Sequence, residues 1–180
     1  MKVILLNLMI VFCLGLFSCN GKANSGNLTN QQQIVEEQAK KMGDLLLKKD
    51  LKSYIKFTYP VIVEKMGGEE RMIEIMEQGN KEMEAQGTIL SSVIFGEPSD
   101  IITTENGELQ CTLPQTIEMQ VANGRLVSKS TLIAISVDQG KKWFFIDTSG
   151  KDIKMMKKAL PNLSDQLKID PIHQPVFYEK

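Results

Sequence analysis

The chain has 180 residues, 42% of them hydrophobic and 24% charged, a size that suits one globular domain and leaves little room for two. Its 21 basic and 22 acidic side chains give a formal net charge of −1, so the balance offers no support for nucleic-acid binding, which rests on clustered positive charge. With one His and three Cys, a transition-metal site is short of its usual ligands, and neither metal nor cofactor is expected.

At the N-terminus Lys2 precedes an apolar stretch from Val3 to Phe17, broken only by Asn7 and Gly15. The stretch is shorter than the roughly 20 residues of a membrane-spanning helix. A basic start, an apolar core and small residues after it describe a secretory signal peptide. The stretch closes on Leu16-Phe17-Ser18-Cys19, which resembles a bacterial lipobox: a Leu three positions before a Cys, with a small residue directly ahead of it. The resemblance implies cleavage after Ser18, diacylation of the Cys19 sulfur and acylation of the new amino terminus. More than one acyl chain gives stable anchoring, so the lipid bilayer is an expected partner through Cys19. The alternatives are an ordinary cleaved leader with an accidental thiol, or an apolar N-terminus on a cytosolic chain.

Residues 1–18 are then a signal peptide and 19–30 a lipidated flexible tether, since Asn20 to Asn30 hold almost nothing to bury. Cys13 would leave with the leader and Cys19 would carry lipid. Cys111 would remain as a single thiol, with no internal disulfide and a fold that depends on its hydrophobic core. Position 20 is Asn, not the Asp that marks inner-membrane retention in enterobacteria, and the tether has no acidic cluster. By resemblance, the expected location is the cell envelope, on the periplasmic side of the outer membrane.

Residues 31–87 read as helical. Ile34, Gln38 or Ala39, Met42, Leu45 and Leu46 recur at helical spacing. Asp50 is placed to cap a second helix carrying Leu51, Tyr54 and Ile55, ended at Tyr59-Pro60 because the residue before Pro avoids the α region. Val61 to Met66 reads as a short apolar turn or strand. Gly67-Gly68 leads into a third helix with Glu69 and Glu70 in its first turn, favourable to the helix dipole. Met72, Ile75 or Met76, Gly79 and Met83 form its inner stripe, more economically core packing than a binding face. Gly87 is its stop.

After Gly87 the period changes to two. Ile89 to Phe95 is strand-like, and turn signals at Asn106-Gly107, Asn123-Gly124 and Asp138-Gln139-Gly140 delimit strands near 99–105, 108–121, 125–137 and 141–147. The first two signals suit type I′ hairpins. In the long strand Leu109, Cys111, Leu113, Ile117, Met119 and Val121 alternate with Glu108, Gln110, Thr112, Thr116, Glu118 and Gln120, so one face is covered and the other wet. Pro114 marks a candidate bulge. A last helix is expected from Ser149 to about Ala159, with Ser149 and Asp152 spaced as a capping box. The domain then spans 31–160, and 161–180 is an extended tail along it. The fold class is α+β: N-terminal helices packed on a curved antiparallel meander.

This order of helices followed by a long-stranded meander resembles the cone-shaped NTF2-like, or cystatin-like, superfamily. The segments Tyr59-Pro60, Met66-Gly67-Gly68, Gly96-Glu97-Pro98, Leu113-Pro114-Gln115-Thr116, Ser128-Lys129-Ser130 and Lys142-Trp143-Phe144-Phe145-Ile146-Asp147 resemble uncharacterised exported proteins of Bacteroidetes over residues 31–175. The resemblance implies a cavity between helices and sheet, and no assigned activity. The third helix, ahead of the main strands, departs from the simplest NTF2-like pattern.

Candidate cavity residues are Tyr54, Tyr59, Gln115, Trp143 and Asp147. Gln115 interrupts an apolar inward series, and a buried amide needs partners or a ligand. Asp147 stands where a strand yields to a helix, so a capping role competes with that of a general base. Tyr54 and Tyr59 carry hydroxyls on otherwise apolar bodies. Trp143 with Phe144 and Phe145 suits packing, with sugar or peptide contact the alternative if exposed. Cys111 reads as a small buried hydrophobe, and His173 as a surface residue in a Pro-containing tail. No phosphate loop, dinucleotide fingerprint, calcium loop or Gly-x-Ser-x-Gly elbow is present in the sequence. The expectation is a non-enzymatic binding or accessory module for a small molecule or an envelope protein. The alternatives are a pocket enzyme of the isomerase or hydratase type using Asp147 or Tyr59, and a homodimeric structural protein of the envelope.

Overall fold

The computed structural model describes residues 25–171 and 173–180, with side chains from Asn30 onward. The leader, the lipobox and Cys19 lie outside the described residues. Helix α1 spans Ser25–Leu47, so it begins inside the segment expected to be tether. Once its packed turns are formed, each further residue adds one backbone hydrogen bond at little cost, and residues 25–30 contain no Pro to stop it. Its buried line is Val35, Ala39 and Met42, with Ile34 packed beside it. Gly43 lets the helix lie close on the sheet, since a Cβ there would stand 2.8 Å from the Phe95 ring.

Asp50 caps α2 (Leu51–Tyr54) by accepting the Ser53 N–H at 3.1 Å. A 3-10 turn over Ile55–Phe57 and extended Thr58 follow. Pro60 then opens another helix, α3 (Pro60–Lys65), where a turn or strand was expected. Proline at the first helical position forfeits no hydrogen bond, because that N–H has no intrahelical partner. Gly67 and Gly68, at φ 97 and 94, turn the chain into α4 (Glu69–Ala85). Its end is closed by N–H groups of Gly87 and Thr88 donating to the carbonyls of Glu84 and Met83, each at 2.9 Å. Helix α4 fully buries none of its residues. Met72, Met76 and Met83 are half-buried and belong to neither core, so core packing accounts for that stripe only in part.

The sheet is antiparallel and open, with six strands: β1 (Ile89–Phe95), β2 (Ile102–Thr103), β3 (Leu109–Val121), β4 (Gly124–Ser136), β5 (Phe144–Asp147) and β6 (Val176–Glu179). The β3–β4 hairpin is its spine. Strands β1 and β2 share the outer edge of β3, and β5 and β6 share that of β4. Thr58 bridges to Phe145, and the Tyr59 N–H donates to the Phe145 carbonyl at 3.2 Å, so the α2–α3 junction covers the free edge of β5.

The turns differ from expectation. Thr104 and Glu108 close a three-residue loop in which only Gly107 (φ 82) takes the left-handed region, which is a type I turn with a Gly bulge and not type I′. Val121 pairs with Gly124, so the second loop is Ala122-Asn123, and neither residue has positive φ. Register between β3 and β4 runs unbroken past Pro114. The irregularity falls instead in β1, between Leu90 and Ser92. Pro114 faces the gap between β1 and β2, where no ladder partner requires an N–H and its carbonyl accepts from the Gly96 N–H at 2.9 Å.

The second face of the sheet is wet only in part: Gln110, Thr112, Thr131, Ile133 and Ile135 are buried on it, while Gln120 and Lys129 farther along the same face are exposed. One core joins Val35, Ala39, Met42, Cys111, Leu113, Leu132, Ala134, Trp143 and Phe145 under α1. The other joins Tyr59, Ile133, Ile135, Ile146, Met156, Leu160, Leu163 and Leu167. The run Leu132-Ile133-Ala134-Ile135 feeds both, as a strand buried on two faces must. The second cover comes from α5 (Ile153–Ala159) and the turns after it. Asp152 alone caps α5, accepting the Met155 N–H at 2.8 Å, while Ser149 sits in a turn at φ 50. The expected capping box is thus replaced by a single cap. The closing segment contributes core residues and a strand, so it is part of the domain and not a tail laid along it. Both cores draw on residues between Val35 and Leu167, and the chain from Asn20 onward therefore carries all of them.

Candidate functional site

Across the α1 face three strands place a polar row. Register sets Gln115 of β3 directly opposite Ser130 of β4, and Asp147 of β5 beside it, opposite Leu132. The Ser130 hydroxyl is shared between Gln115 Oε1 at 3.1 Å and Asp147 Oδ2 at 3.4 Å. The other Asp147 oxygen accepts the Ser149 N–H at 2.7 Å, so this carboxylate orders the turn after β5 and is not a helix cap.

Gln115 and Asp147 of this row form part of the floor of a cavity of about 550 Å³, with Ser130 behind them. Met42, Tyr54, Ile62 and Met72 line it from the helices and Thr58 from the α2–α3 junction, with Leu132, Phe145 and Ile146 from the sheet. Its remaining wall is Lys151 with Met155, Met156, Lys158 and Ala159 of α5. Burial, and then the nearby Asp147 charge, push the Tyr54 hydroxyl up to about 12, so it stays a neutral donor at physiological pH.

Of the five residues singled out from sequence, Tyr54, Gln115 and Asp147 meet in this cavity. Tyr59 does not. It is buried in the second core, where its hydroxyl accepts from Asn162 Nδ2 at 3.3 Å and its ring meets Phe144 edge-on, with centroids 6.3 Å apart. Trp143 is fully buried in the first core, with its indole N–H donating to the Gly140 carbonyl at 3.1 Å, which removes it as a sugar or peptide platform. Cys111 is buried, and burial pushes its thiol up to about 12, as suits a small hydrophobe. His173 is exposed and borders a shallow groove with Pro114, Lys129 and Asp170.

Ser130, Lys151 and Lys158 were not singled out. The signal for Ser130 was the hairpin register. With Asn123-Gly124 as the loop, Gln115 would face Leu132, and the actual loop, one residue earlier, brings Ser130 there. The lysines belong to a segment whose charge reads as solvated surface.

Among the described residues no group of three or more His, Cys, Asp or Glu is placed to hold a metal ion, and no helix is long and apolar enough to cross a membrane. Fold and site together define an α+β domain with a cavity lined by its helices and by β5 residues of both cores. No protein-family model, curated protein or solved structure matches the chain.

Proposed function

We propose that this protein is an envelope lipoprotein whose domain is a non-enzymatic binding module, held at the periplasmic side of the outer membrane through acylated Cys19 and built as an NTF2-like cone. The observation that carries the binding reading is the cavity: apolar walls with a few convergent polar groups, in the size range of small-molecule sites. Its polar groups suit orientation of a ligand more than proton exchange. Asp147 is engaged by the Ser149 N–H, and Tyr54 is held neutral. The anchor rests on the Leu16–Cys19 motif.

Metabolic labelling with a fatty acid tests the anchor, because Cys19→Ala should abolish incorporation. Equal labelling of the two forms would overturn it. For the cavity, the chain from Asn20 onward should bind the neutral dye N-phenyl-1-naphthylamine one to one. Met72→Asp, on a helix outside both cores, should weaken that binding without lowering the melting temperature. Non-saturable binding, or binding indifferent to Met72→Asp, would count against the reading.

Self-association is a second reading, favoured by β6. On this edge strand Val176, Phe177 and Tyr178 are 51%, 51% and 46% exposed, and exposed apolar edges invite pairing. A monomeric sedimentation profile of the same chain would remove it.

A further inference from the structure

We infer that the cavity takes a single-chain amphiphile with an anionic head, its acyl chain lying among methionines and its head at a two-lysine mouth. This rests on the binding reading above and names the ligand class for the same cavity. Four lining residues are methionines, brought from three separate helices: Met42 of α1, Met72 of α4, and Met155 and Met156 of α5. Unbranched thioethers repack around a flexible chain where branched side chains would hold one fixed shape. Met155 lines the cavity while 51% exposed, which marks the mouth as apolar right up to solvent.

The charge at that mouth has a sign. Lys151 and Lys158 both line the cavity, both are exposed, and neither is ion-paired among the described residues. Their aliphatic stems can lie along the methionines with the ammonium groups at the water boundary. The one carboxylate in the lining, Asp147, is occupied by the Ser149 N–H at 2.7 Å and the Ser130 hydroxyl at 3.4 Å. Two uncommitted cations therefore stand against one engaged anion at the entrance of an apolar cavity. A neutral apolar ligand would use the walls and leave the lysines idle, and a compact polar anion would use the lysines and leave the walls unfilled. A monoacyl anion uses both.

A free fatty acid and a lysophospholipid share this chemistry. Isothermal titration at pH 7.5 of the chain from Asn20 onward, with each ligand below its micelle concentration, tests the inference. Octanoate, decanoate and dodecanoate should bind one to one, with affinity rising by up to about fourfold per methylene. Dodecanoate should bind about fivefold more tightly than 1-dodecanol. The double variant Lys151→Gln/Lys158→Gln should lose that preference while binding 1-dodecanol unchanged. Tighter binding of lysophosphatidylglycerol than of dodecanoate points to a phospholipid source, and the reverse to a free acid; either supports the class. Equal affinity for dodecanoate and 1-dodecanol, or a preference that survives the double variant, overturns the anionic head and leaves the cavity reading standing. Failure of all these ligands, with N-phenyl-1-naphthylamine still bound, overturns the amphiphile alone. Failure of the dye as well removes both.

Discussion

The side-chain carbonyl of Gln110 accepts the backbone N–H of Ser164 at 2.9 Å, a contact 54 residues long in sequence that fastens the closing segment over the second face of the sheet. The same amide donates to the Asn162 carbonyl and to Glu108 Oε2, both at 3.1 Å, and Gln110 is fully buried. Gln110→Leu removes the clamp and strands two backbone groups of the closing segment away from water. The expected loss is about 2–4 kcal/mol, read from urea unfolding. Gln110→Glu keeps the acceptor for Ser164 and turns the other oxygen toward Asn162 O, so it should also destabilise near neutral pH. A loss in Gln110→Leu below about 1 kcal/mol would show that the segment is held by its leucines alone.

Two glycines should respond to alanine with opposite signs. A Cβ on Gly124 would collide with the Tyr178 carbonyl oxygen and reach 3.0 Å from the Phe177 ring. Gly124→Ala should therefore displace β6, with a cost of about 1–3 kcal/mol and faster hydrogen exchange along β4 residues 124–127. Gly79 lies inside α4 with nothing within 4 Å of such a Cβ. There the substitution should stabilise by up to about 1 kcal/mol, the propensity gain of Ala over Gly in a helix. Melting temperatures of the two variants decide the matter, and a shared sign would contradict the packing described for β6.

The Thr148 hydroxyl is fully buried and has no hydrogen-bond partner among the described residues. Thr148→Val keeps the shape and removes the unsatisfied oxygen. Burial of such a group costs about 1–3 kcal/mol, so the variant should be at least as stable as the parent by chemical denaturation. A clear loss would mean that the hydroxyl is satisfied in solution.

Alkaline titration should reveal Tyr54. Its hydroxyl is pushed up to about 12 in the folded chain, mainly by burial, against an ordinary value of 10.0. The folded state therefore holds this proton more tightly than the unfolded state. Stability from this group is unaffected below about pH 10 and falls as pH rises from there toward 12. Tyr54→Phe should flatten that part of the stability profile and delete a step in phenolate absorbance above pH 10. Loss of a step near pH 10 instead would place Tyr54 in water.

Asp152 is the sole side-chain cap of α5, the helix that carries Met155, Met156 and Lys158 to the cavity. Asp152→Ala should cost about 1 kcal/mol and weaken dye binding along with it. Loss of stability with unaltered binding would separate the helix from the site.

Much of the fold was legible because its signals are local. The periods that set α1, α4 and the β3–β4 hairpin, the Asp50 cap and the Gly87 stop each depend on residues within a few positions of one another. Signals that depend on a partner were misread. Pro60 looks like a terminator until the next helix is seen to start on it. Gly124 looks like a turn residue, yet neither loop residue beside it takes positive φ, and what its missing side chain admits is strand β6. Gln110 looks like the wet side of a strand because Asn162 and Ser164, which hold it, lie more than 50 residues away. In the cavity, Tyr54, Gln115 and Asp147 were within reach of the sequence as polar interruptions of apolar patterns. Ser130, which bonds to Gln115 and Asp147 from outside the lining, was not, because its place depends on a register that a one-residue shift of the loop changes by two.

The sequence by itself determined that helices would precede an antiparallel meander and that Cys111 would be buried on a strand. Those features follow from periodicity and composition, which act over short stretches of chain. Only the tertiary structure decided that part of the second sheet face is covered too, that Tyr59 and Trp143 belong to the cores while Tyr54 faces the cavity, and that two exposed lysines line it. Those depend on which distant segments meet. Hydrophobic burial drives that meeting without direction, and the partner is chosen only when register, turn length and the shapes of both surfaces are satisfied together.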